Sequence, residues 1–490
     1  MKQKNGCLAE PAKITSLPSS QAVQFIETPT ILAFHTFLYN QKYYVINVER
    51  MTTHLVNRHV SLSLSRLASD PRLELSAETL ERLQEIGLIR STCKSDQRVA
   101  CRESNPVGIK NISIFVAQKC NLSCTYCYGG DGEYGSRSQM SIDIAKQAID
   151  WQIEQSQDQC ELGVAFFGGE PLLNLPVIHE TIKYANQRGR QCGKSFSFEL
   201  TTNGTLLNDD ERAYFLENNV RVHISFDGPP EVQDRNRPFK NGMGSYSSII
   251  PKIEKQLEIV PETECRVTHV GDTDALETRK SMEGIGFNVV HFSIAADSQL
   301  NTQLNERSRR NEFNELLRVN QFEADQLLKK IKERDVNYIR NLSGSIFIVK
   351  VIANFLTRQK HNFHCGAGKG YTAISADGNA YACHRFVGIE KHRIGNIYNS
   401  KLDRDIYLES PIEKVEQCKK CPAKYVCSGG CYHDHEGATG DIFEPDPEFC
   451  EYMIASLELV AYIVCQLDKL DKSFLVEHGI IPERICGLDF

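Results

Sequence analysis

The sequence predicts an α/β protein whose central part alternates parallel strands with helices. Between residues 109 and 295, short apolar runs rich in β-branched residues alternate with amphipathic segments. Strands are predicted at 109–116, 163–167, 195–201, 221–226, 264–270 and 289–295, and helices at 141–156, 176–188, 208–218, 245–257 and 273–284. This rhythm is typical of right-handed β–α–β units on a parallel sheet. The segments before and after it lack the rhythm, so further domains are expected.

Length and composition exclude several classes of function. The chain has 490 residues, of which 41% are hydrophobic and 24% charged, with a net charge of -7. This length predicts two to four domains, and the absence of a long Lys/Arg run disfavours nucleic-acid binding. No signal peptide is recognised in residues 1–18, and the apolar stretch 453–464 is too short for a membrane span. Eighteen cysteines therefore indicate metal binding in the reducing cytoplasm rather than disulfides.

Three cysteines follow the first strand of the predicted α/β part. Cys120, Cys124 and Cys127 are spaced C-x3-C-x2-C, with Tyr126 just before the last. They fall at the carboxyl end of a strand, where α/β barrels carry their chemistry. Three thiolates suit a [4Fe–4S] cluster with one iron free to hold a small ligand. A structural zinc loop is the alternative, although closed zinc sites take four ligands.

A second motif, Gly168-Gly169-Glu170-Pro171, follows the second strand. Glycine lets the backbone approach a ligand closely, and a carboxylate suits an ammonium group. Together the two motifs resemble the signature of radical SAM enzymes. The resemblance implies a partial (β/α)6 TIM barrel over 107–300, with S-adenosylmethionine (SAM) chelated to the free iron.

The same resemblance implies the residues of the SAM pocket. Gly168, Gly169 and Glu170 would bind the methionine amino group, and Tyr126 would pack near adenine. The positions implied at the ends of strands three to five are Thr202, Ser225, Asp227 and Arg266. For Thr202 and Asp227, simple capping of a loop is an equal alternative.

Seven further cysteines form one ordered pattern near the C-terminus: Cys365, Cys383, Cys418, Cys421, Cys427, Cys431 and Cys450. The pattern resembles the SPASM domain, here predicted at 365–450, which holds two auxiliary [4Fe–4S] clusters. The resemblance implies a distal cluster bound by Cys418, Cys421, Cys427 and Cys450. It leaves Cys365, Cys383 and Cys431 for a proximal cluster. A zinc ribbon is the alternative, and three clusters in all are expected.

The proximal cluster is predicted to have an open iron, because no cysteine lies between Cys265 and Cys365. His364, Asp434 and a folded-in Cys265 are the rival fourth ligands. An open iron would let a substrate cysteine bind as thiolate. Residues 301–364 are predicted as a helical connector and 451–490 as a helical tail.

The N-terminal part, residues 1–100, is predicted to be a small domain of its own. Apolar runs at 32–38 and 43–48 flank a hairpin turn, helical segments follow at 54–67 and 76–85, and a third strand could begin at 88. This winged-helix-like layout resembles the leader-peptide recognition domain of peptide-modifying radical SAM enzymes, which bind a peptide at a sheet edge. A purely structural subdomain is the alternative.

The sequence around Cys365 and Cys383 resembles thioether-forming maturases of the ranthipeptide and quinohemoprotein amine dehydrogenase type. It therefore predicts a radical SAM enzyme that forms Cys thioether links in a ribosomally made peptide (a RiPP) or small protein. A ferredoxin or flavodoxin electron donor is expected, with no nucleic acid or membrane partner. A formylglycine-forming sulfatase maturase is an alternative, although such enzymes carry an acid where this chain has His384. Carbon–carbon cross-linking and a non-catalytic iron–sulfur or zinc module also remain, and no catalytic residue is assigned.

Overall fold

The computed structural model describes residues 31–89, 108–271, 273–301, 308–342, 347–399 and 401–481. Its first element is a three-stranded antiparallel sheet followed by two helices. The strands, in sheet order, are β1 (Phe34–Tyr39), β2 (Lys42–Asn47) and β3 (Thr52–Val56), and the helices are α1 (Arg58–Ser69) and α2 (Ala77–Glu85). The predicted hairpin is therefore present.

The predicted helix at 54–67 begins too early. Residues Thr52–Val56 pair with β2 from Asn47↔Thr52 to Tyr43↔Val56, which suits the β-branched side chains there. The helix begins only after Asn57, whose side chain caps it by accepting from the Val60 amide at 2.8 Å. The third strand predicted from 88 falls mostly outside the described residues, and Ile89 forms an isolated bridge with Ile31.

The central part is a parallel sheet with helices between its strands, as predicted. Its strands are β4 (Asn111–Gln118), the two-residue antiparallel β5 (Ser138–Gln139), β6 (Glu161–Gly168), β7 (Ser195–Thr202), β8 (Val220–Ser225), β9 (Glu264–His269) and β10 (Val289–Ile294). Its helices are α3 (Ile142–Gln155), α4 (Leu175–Cys192), α5 (Asp209–Glu217), α6 (Pro230–Asn236), α7 (Tyr246–Ile259) and α8 (Ala275–Ile285). The parallel order β10-β9-β8-β7-β6-β4 confirms a mixed α/β fold. Closure into a partial barrel stays a prediction.

The two faces of this sheet differ. One face is buried by helices α3 and α4, where Phe166, Leu200 and Trp151 are 1% exposed or less. Residues that alternate with these point to the opposite face and are only half-buried, as Phe167 and Thr201 are. We call this second face the cavity face, because it carries the site described below.

The C-terminal cysteine region extends the same sheet. Strand β11 (Tyr371–Ile374) pairs parallel with β4, and β12 (Asn379–Tyr381) and β13 (Arg393–Asn396) continue antiparallel. The predicted hairpin between β11 and β12 turns at Gly378, which has a φ of +87°. This arrangement brings the C-terminal cysteines beside the strand that leads to Cys120.

The remaining described helices follow β10 in the chain, and several of them share a core with the N-terminal sheet. They are α9 (Arg309–Lys332), α10 (Val336–Leu342), α11 (Phe347–Thr357), the short α12 (Asp405–Leu408), α13 (Pro411–Lys414), α14 (Glu416–Lys419), α15 (Lys424–Cys427) and α16 (Tyr432–Thr439), and finally α17 (Pro447–Gln466) and α18 (Lys469–Glu477). Tyr44 and Ile46 of β2 share one core with Leu327 of α9 and Val460 of α17. The N-terminal sheet is thus built into the rest of the chain, while the predicted domain boundaries stay predictions.

Among the described residues, no single helix has both the length and the apolar character needed to cross a membrane. Helices α17 and α18 meet that test only when taken together, and they are bent by 102° at their junction.

Candidate active site

A cavity opens on the cavity face, at the carboxyl ends of the parallel strands. Cys120, Cys124 and Cys127 form one side of it, and Gly168 and Gly169 border them. The ends of the following strands contribute the polar wall residues Thr201, Thr202, Ser225, Thr268 and Ser293. This is the place where the sequence predicted the chemistry, because the carboxyl ends of parallel strands meet at one edge.

The loop that carries the first three cysteines is held in place by the segment after α6. The amide of Ser123 donates to the Pro238 carbonyl at 2.8 Å, and the amide of Thr125 donates to the Asn236 carbonyl at 3.0 Å. The thiols share one buried site. Burial, followed by the negative charges of Glu170 and Cys124, raises the pKa of Cys120 to about 12.

Burial raises the pKa of Cys124 to about 12 and that of Cys127 to about 11. Thiols held this far from ionisation become ligands only when a cation compensates their charges. Across the described part of the chain, no three His, Cys, Asp or Glu side chains are placed to hold a single metal ion. A [4Fe–4S] cluster on these three thiols, with a zinc loop as the alternative, stays a prediction.

Glu170 lies beside the cavity but does not face it. Its side chain is fully buried, and its oxygens accept from the Leu172 amide at 3.0 Å, the Thr202 hydroxyl at 2.7 Å and the Asn203 amide at 2.8 Å. Burial raises the pKa of Glu170 to about 7, against the effect of these donors. The carboxylate thus holds the end of β7 against the end of β6, and its binding of an ammonium group stays a prediction.

The variant Glu170→Gln should weaken SAM binding through Thr202 and Asn203. In the variant, an NH2 group replaces one carboxylate oxygen that accepts from these donors in the wild type. A buried donor left without an acceptor costs about 1–3 kcal/mol. We expect SAM affinity to fall about ten- to a hundredfold by calorimetry, together with a lower melting temperature. Glu154→Gln, on the exposed face of α3, is the control. Unchanged affinity and stability in Glu170→Gln would contradict this role.

Tyr126, Asp227 and Arg237 form a buried group under the cavity. The Tyr126 hydroxyl donates to Asp227 Oδ2 at 2.5 Å, and Arg237 Nε lies 3.0 Å from the same oxygen. Asp227 Oδ1 accepts from the Thr268 amide at 3.0 Å. Tyr126 lines the cavity, whereas Asp227 does not. Asp227 thus positions its neighbours, and its predicted contact with the cofactor stays a prediction.

Arg237 is a cavity residue that the sequence reasoning missed. It lines the cavity, its guanidinium lies 5.3 Å from the Tyr126 ring centroid, and the residue is 7% exposed. No local motif marks it, because it follows α6 and reaches the cavity only through the fold. Ser225 and Thr202 do line the cavity as predicted, whereas Arg266 does not and pairs with Glu264 instead, at 3.0 Å.

The second group of cysteines is Cys365, Cys383 and Cys431, and it is linked to the cavity through Arg385, which lines it. After burial, the charges of Cys365 and of other neighbours raise the pKa of Cys383 to about 12. Burial and then Asp434 raise the pKa of Cys431, with contributions from Cys365 and Cys383. Arg385 joins the two sides, because it lines the cavity and pairs with Asp434 Oδ1 at 2.5 Å. The fold thus brings together the trio that the sequence predicted for a proximal cluster.

His384 stands beside this trio as a neutral ring. Its Nδ1 lies 2.8 Å from the Tyr371 hydroxyl and 3.6 Å from Cys383 Sγ. Its ring centroid is 5.0 Å from that of Phe167, a cavity residue. Burial, followed by the charge of Arg385, lowers the pKa of His384 to about 3. The side chain after Cys383 therefore carries no charge at neutral pH.

The third group contains Cys418, Cys421, Cys427 and Cys450. Burial and the charges of Cys421 and Cys418 raise the pKa of Cys450 to about 12, and burial with the other three thiols raises that of Cys427. His364 Nδ1 donates to the Cys427 carbonyl at 2.9 Å. Of the rival ligands for the proximal group, Cys265 is fully buried against Phe226 and Met282 in the main core, so it does not reach the trio.

Comparison with known proteins identifies the central part. Residues 114–278 match the family model of the Radical SAM superfamily. This part of the chain is a radical SAM domain. The match contains both the first cysteine motif and Gly168-Gly169-Glu170-Pro171. A radical SAM domain implies bound SAM and a [4Fe–4S] cluster, for which Cys120, Cys124 and Cys127 are the fitting thiols.

Relatives extend the similarity beyond the radical SAM domain. A cysteine-type anaerobic sulfatase-maturating enzyme of Clostridium novyi is 24% identical over 389 residues, 72% of this chain and 98% of that enzyme. An uncharacterized protein of Methanocaldococcus jannaschii is 34% identical over 138 residues, but this covers only 28% of this chain and 45% of that protein. The solved structure of native anSMEcpe with bound AdoMet and Cp18Cys peptide shares the fold, with a TM-score of 0.59 at 20% identity over 73% of this chain and 99% of that one.

Proposed function

We propose that this chain is a radical SAM enzyme that oxidises a Cys side chain within a peptide or protein to an aldehyde, as a sulfatase-maturating enzyme does. The observation that carries the proposal is the alignment with the Clostridium novyi enzyme over 98% of that enzyme's length. The relatives thus favour the formylglycine alternative over the thioether chemistry that the sequence first suggested.

The chain would supply the binding surfaces for this reaction. SAM at the first cysteine trio supplies, after one-electron reduction, the radical that removes hydrogen from the substrate. The cavity excludes water and orients the two partners. The SAM-derived radical would take one hydrogen atom from the substrate cysteine, the second electron would pass to an auxiliary cluster and the second proton to solvent. Water would then replace the sulfur, which leaves as hydrogen sulfide. The reducing electron is expected from an acidic one-electron donor such as ferredoxin or flavodoxin.

We also propose that the chain holds three [4Fe–4S] clusters. The first trio would bind one, and Cys418, Cys421, Cys427 and Cys450 would bind a second with all four ligands. Cys365, Cys383 and Cys431 would bind the third. Its fourth ligand would be the substrate thiol, with His364 and Asp434 as the rivals, although His364 donates to the Cys427 carbonyl and Asp434 is paired with Arg385.

Thioether formation is the second candidate, and His384 favours it. Formylglycine-forming enzymes are expected to carry an acid after the cysteine that matches Cys383, but this chain has a histidine whose pKa burial lowers to about 3. The carboxylate that the fold does bring to this trio, Asp434, is paired with Arg385 at 2.5 Å. Asp434 is therefore not free to act as a base, and His384 is a weak one. This arrangement would suit thioether formation, in which a substrate thiol bound to the cluster loses its proton without a protein base.

The mass of the product separates the two candidates. A Cys-containing peptide encoded beside this gene, or a sulfatase peptide, is incubated with reduced enzyme and SAM. Aldehyde formation replaces sulfur and two hydrogens by oxygen and creates a group that reacts with hydrazide. A thioether link removes only two hydrogens and consumes the free thiol. We expect the hydrazide-reactive product; a product that lacks two hydrogens and does not react with hydrazide would establish the second candidate instead.

We further propose that residues 31–89 recognise a leader segment of the substrate at the edge of β3. Leu55 of this strand is 48% exposed, and an added peptide strand would cover it. Deleting the sheet would open the core shared by Ile46 and Val460, so a point variant is the cleaner test. Leu55→Asp should slow modification of the full precursor but not of a leaderless peptide. Leu62→Asp on α1, where Leu62 is 43% exposed, is the control, and equal effects of both variants would refute the proposal.

A further inference from the structure

A row of charged side chains lies on the cavity face, just below the cavity. It consists of Glu199 on β7, His223 on β8, and Glu264 and Arg266 on β9. Glu199 precedes the cavity residue Thr201 by two positions, and His223 precedes Ser225 by two. Glu264 and Arg266 precede Thr268 by four and two positions. Side chains two apart share a face, and two residues of strand span about 7 Å. The row therefore forms the next layer of the same face.

Within this row the carboxylates lie close to basic side chains. His223 Nδ1 lies 3.5 Å from Glu264, and His223 Nε2 lies 3.8 Å from Glu199. Arg266 Nη2 lies 3.0 Å from Glu264 Oε1. Although burial opposes it, His223 and Arg266 hold the pKa of Glu264 at about 2. Both glutamates are thus ionised and held in place by the two basic side chains.

Arg266 keeps hydrogen-bonding capacity that the protein does not use. Its Nε is buried and has no hydrogen-bond partner, while the side chain as a whole is 42% exposed. A guanidinium has five donors in a planar fork that matches a carboxylate. Glu264 fixes one end of the fork at Nη2, and the exposed part of the guanidinium can still donate to a ligand.

Arg266 lies beside the cavity, because it is the register neighbour of Ser225, a cavity residue, and precedes Thr268 by two residues on the same face. The charge of Arg266 contributes to the low pKa of His384, so the two side chains are close enough to interact electrostatically. His384 in turn contacts Phe167, and Arg385 lines the same cavity. Arg266 therefore borders the space between the first cysteine trio and the second, one layer below the cavity wall.

We propose that Arg266, oriented by Glu264, binds a carboxylate of the peptide substrate close to the residue that loses hydrogen. A distance of about 7 Å corresponds to two residues of an extended chain. The ligand is thus an Asp or Glu within about two positions of the modified residue, or the C-terminal carboxylate at that distance. The inference rests on the proposed peptide-modifying function and adds a rule for substrate choice.

A pool of synthetic peptides tests this rule. Each peptide has one Cys with randomised neighbours, and half of the pool is amidated at the C-terminus. Wild-type enzyme, Arg266→Gln and the control Arg221→Gln are compared by sequencing the modified peptides. Arg221 is a matched control, because it lies on β8 two residues before His223, pairs with Glu199 and is 73% exposed.

Wild-type enzyme and Arg221→Gln should favour peptides with Asp or Glu near the cysteine by about ten- to a hundredfold, the value of a charge-assisted hydrogen bond. Arg266→Gln should lose this preference. A preference confined to the non-amidated half would identify the C-terminal carboxylate as the ligand. An unchanged preference in Arg266→Gln overturns the proposal, and so does weaker SAM binding by this variant without peptide, which would place Arg266 at the cofactor. If wild-type enzyme modifies no peptide at all, the result contradicts the proposed peptide-modifying function itself, and not only the role of Arg266.

Discussion

Replacing Cys120, Cys124 and Cys127 together by alanine should abolish SAM cleavage and remove about four of about twelve irons per chain after anaerobic reconstitution. The three thiols are the cysteines that line the cavity, so the loss should be confined to one cluster. The other two groups lie in the segments 365–431 and 418–450 and share no thiol with the first. Iron analysis and measurement of 5′-deoxyadenosine check both parts of this result.

The control for the triple variant is Cys160→Ala with Cys192→Ala. These two cysteines are exposed and belong to none of the three groups, so iron content and SAM cleavage should match those of the wild type. Full SAM cleavage by the triple variant would remove the first trio from the active site. A loss of all the iron would instead mean that the three groups do not assemble independently.

The sequence predicted most of the central fold because its signals there are local. The strands at 195–201 and 289–295, for example, are observed as Ser195–Thr202 and Val289–Ile294. The first alternates polar and apolar residues, the second is largely apolar, and both patterns predict strands. Strand β3 escaped prediction because three of its five residues, Thr52, Thr53 and His54, are polar. Its pairing with β2, not its own pattern, makes it a strand.

Some features of the candidate site could likewise be predicted from local sequence, and others depend on the fold. The ligating cysteines could be found from residue type and spacing, and the structure brings the trios together. The contacts of Glu170 and Asp227 could not be predicted, because a carboxylate that binds a ligand and one that holds the backbone look identical in sequence. Only the fold shows that Glu170 accepts from Thr202 and Asn203 and that Arg266 lies below the cavity.

The variant Gly169→Ala should abolish SAM cleavage without unfolding the protein. A Cβ atom at this position would lie 2.4 Å from the carbonyl oxygens of both Gly132 and Lys119. Both contacts are backbone, so no side chain can rotate to relieve them, and overpacking of this kind costs about 1–3 kcal/mol or more. Relieving these contacts requires the backbone to shift at Gly169, at Lys119 or at Gly132. Each shift disturbs the cofactor pocket, because Gly169 lines the cavity, Lys119 precedes Cys120, and Gly132 packs against the Cβ atom of Cys120.

The matched control is Gly284→Ala in helix α8. A Cβ there meets nothing within 4 Å, and alanine is favoured over glycine in a helix by about 1 kcal/mol, so the control should bind SAM normally and melt at the same temperature or higher. For Gly169→Ala we expect SAM affinity to fall more than about a hundredfold, which is a loss of about 2.7 kcal/mol, with a circular dichroism spectrum like that of the wild type. Normal SAM binding by Gly169→Ala would mean that the close approach of β6 to the cysteine loop does not shape the cofactor pocket.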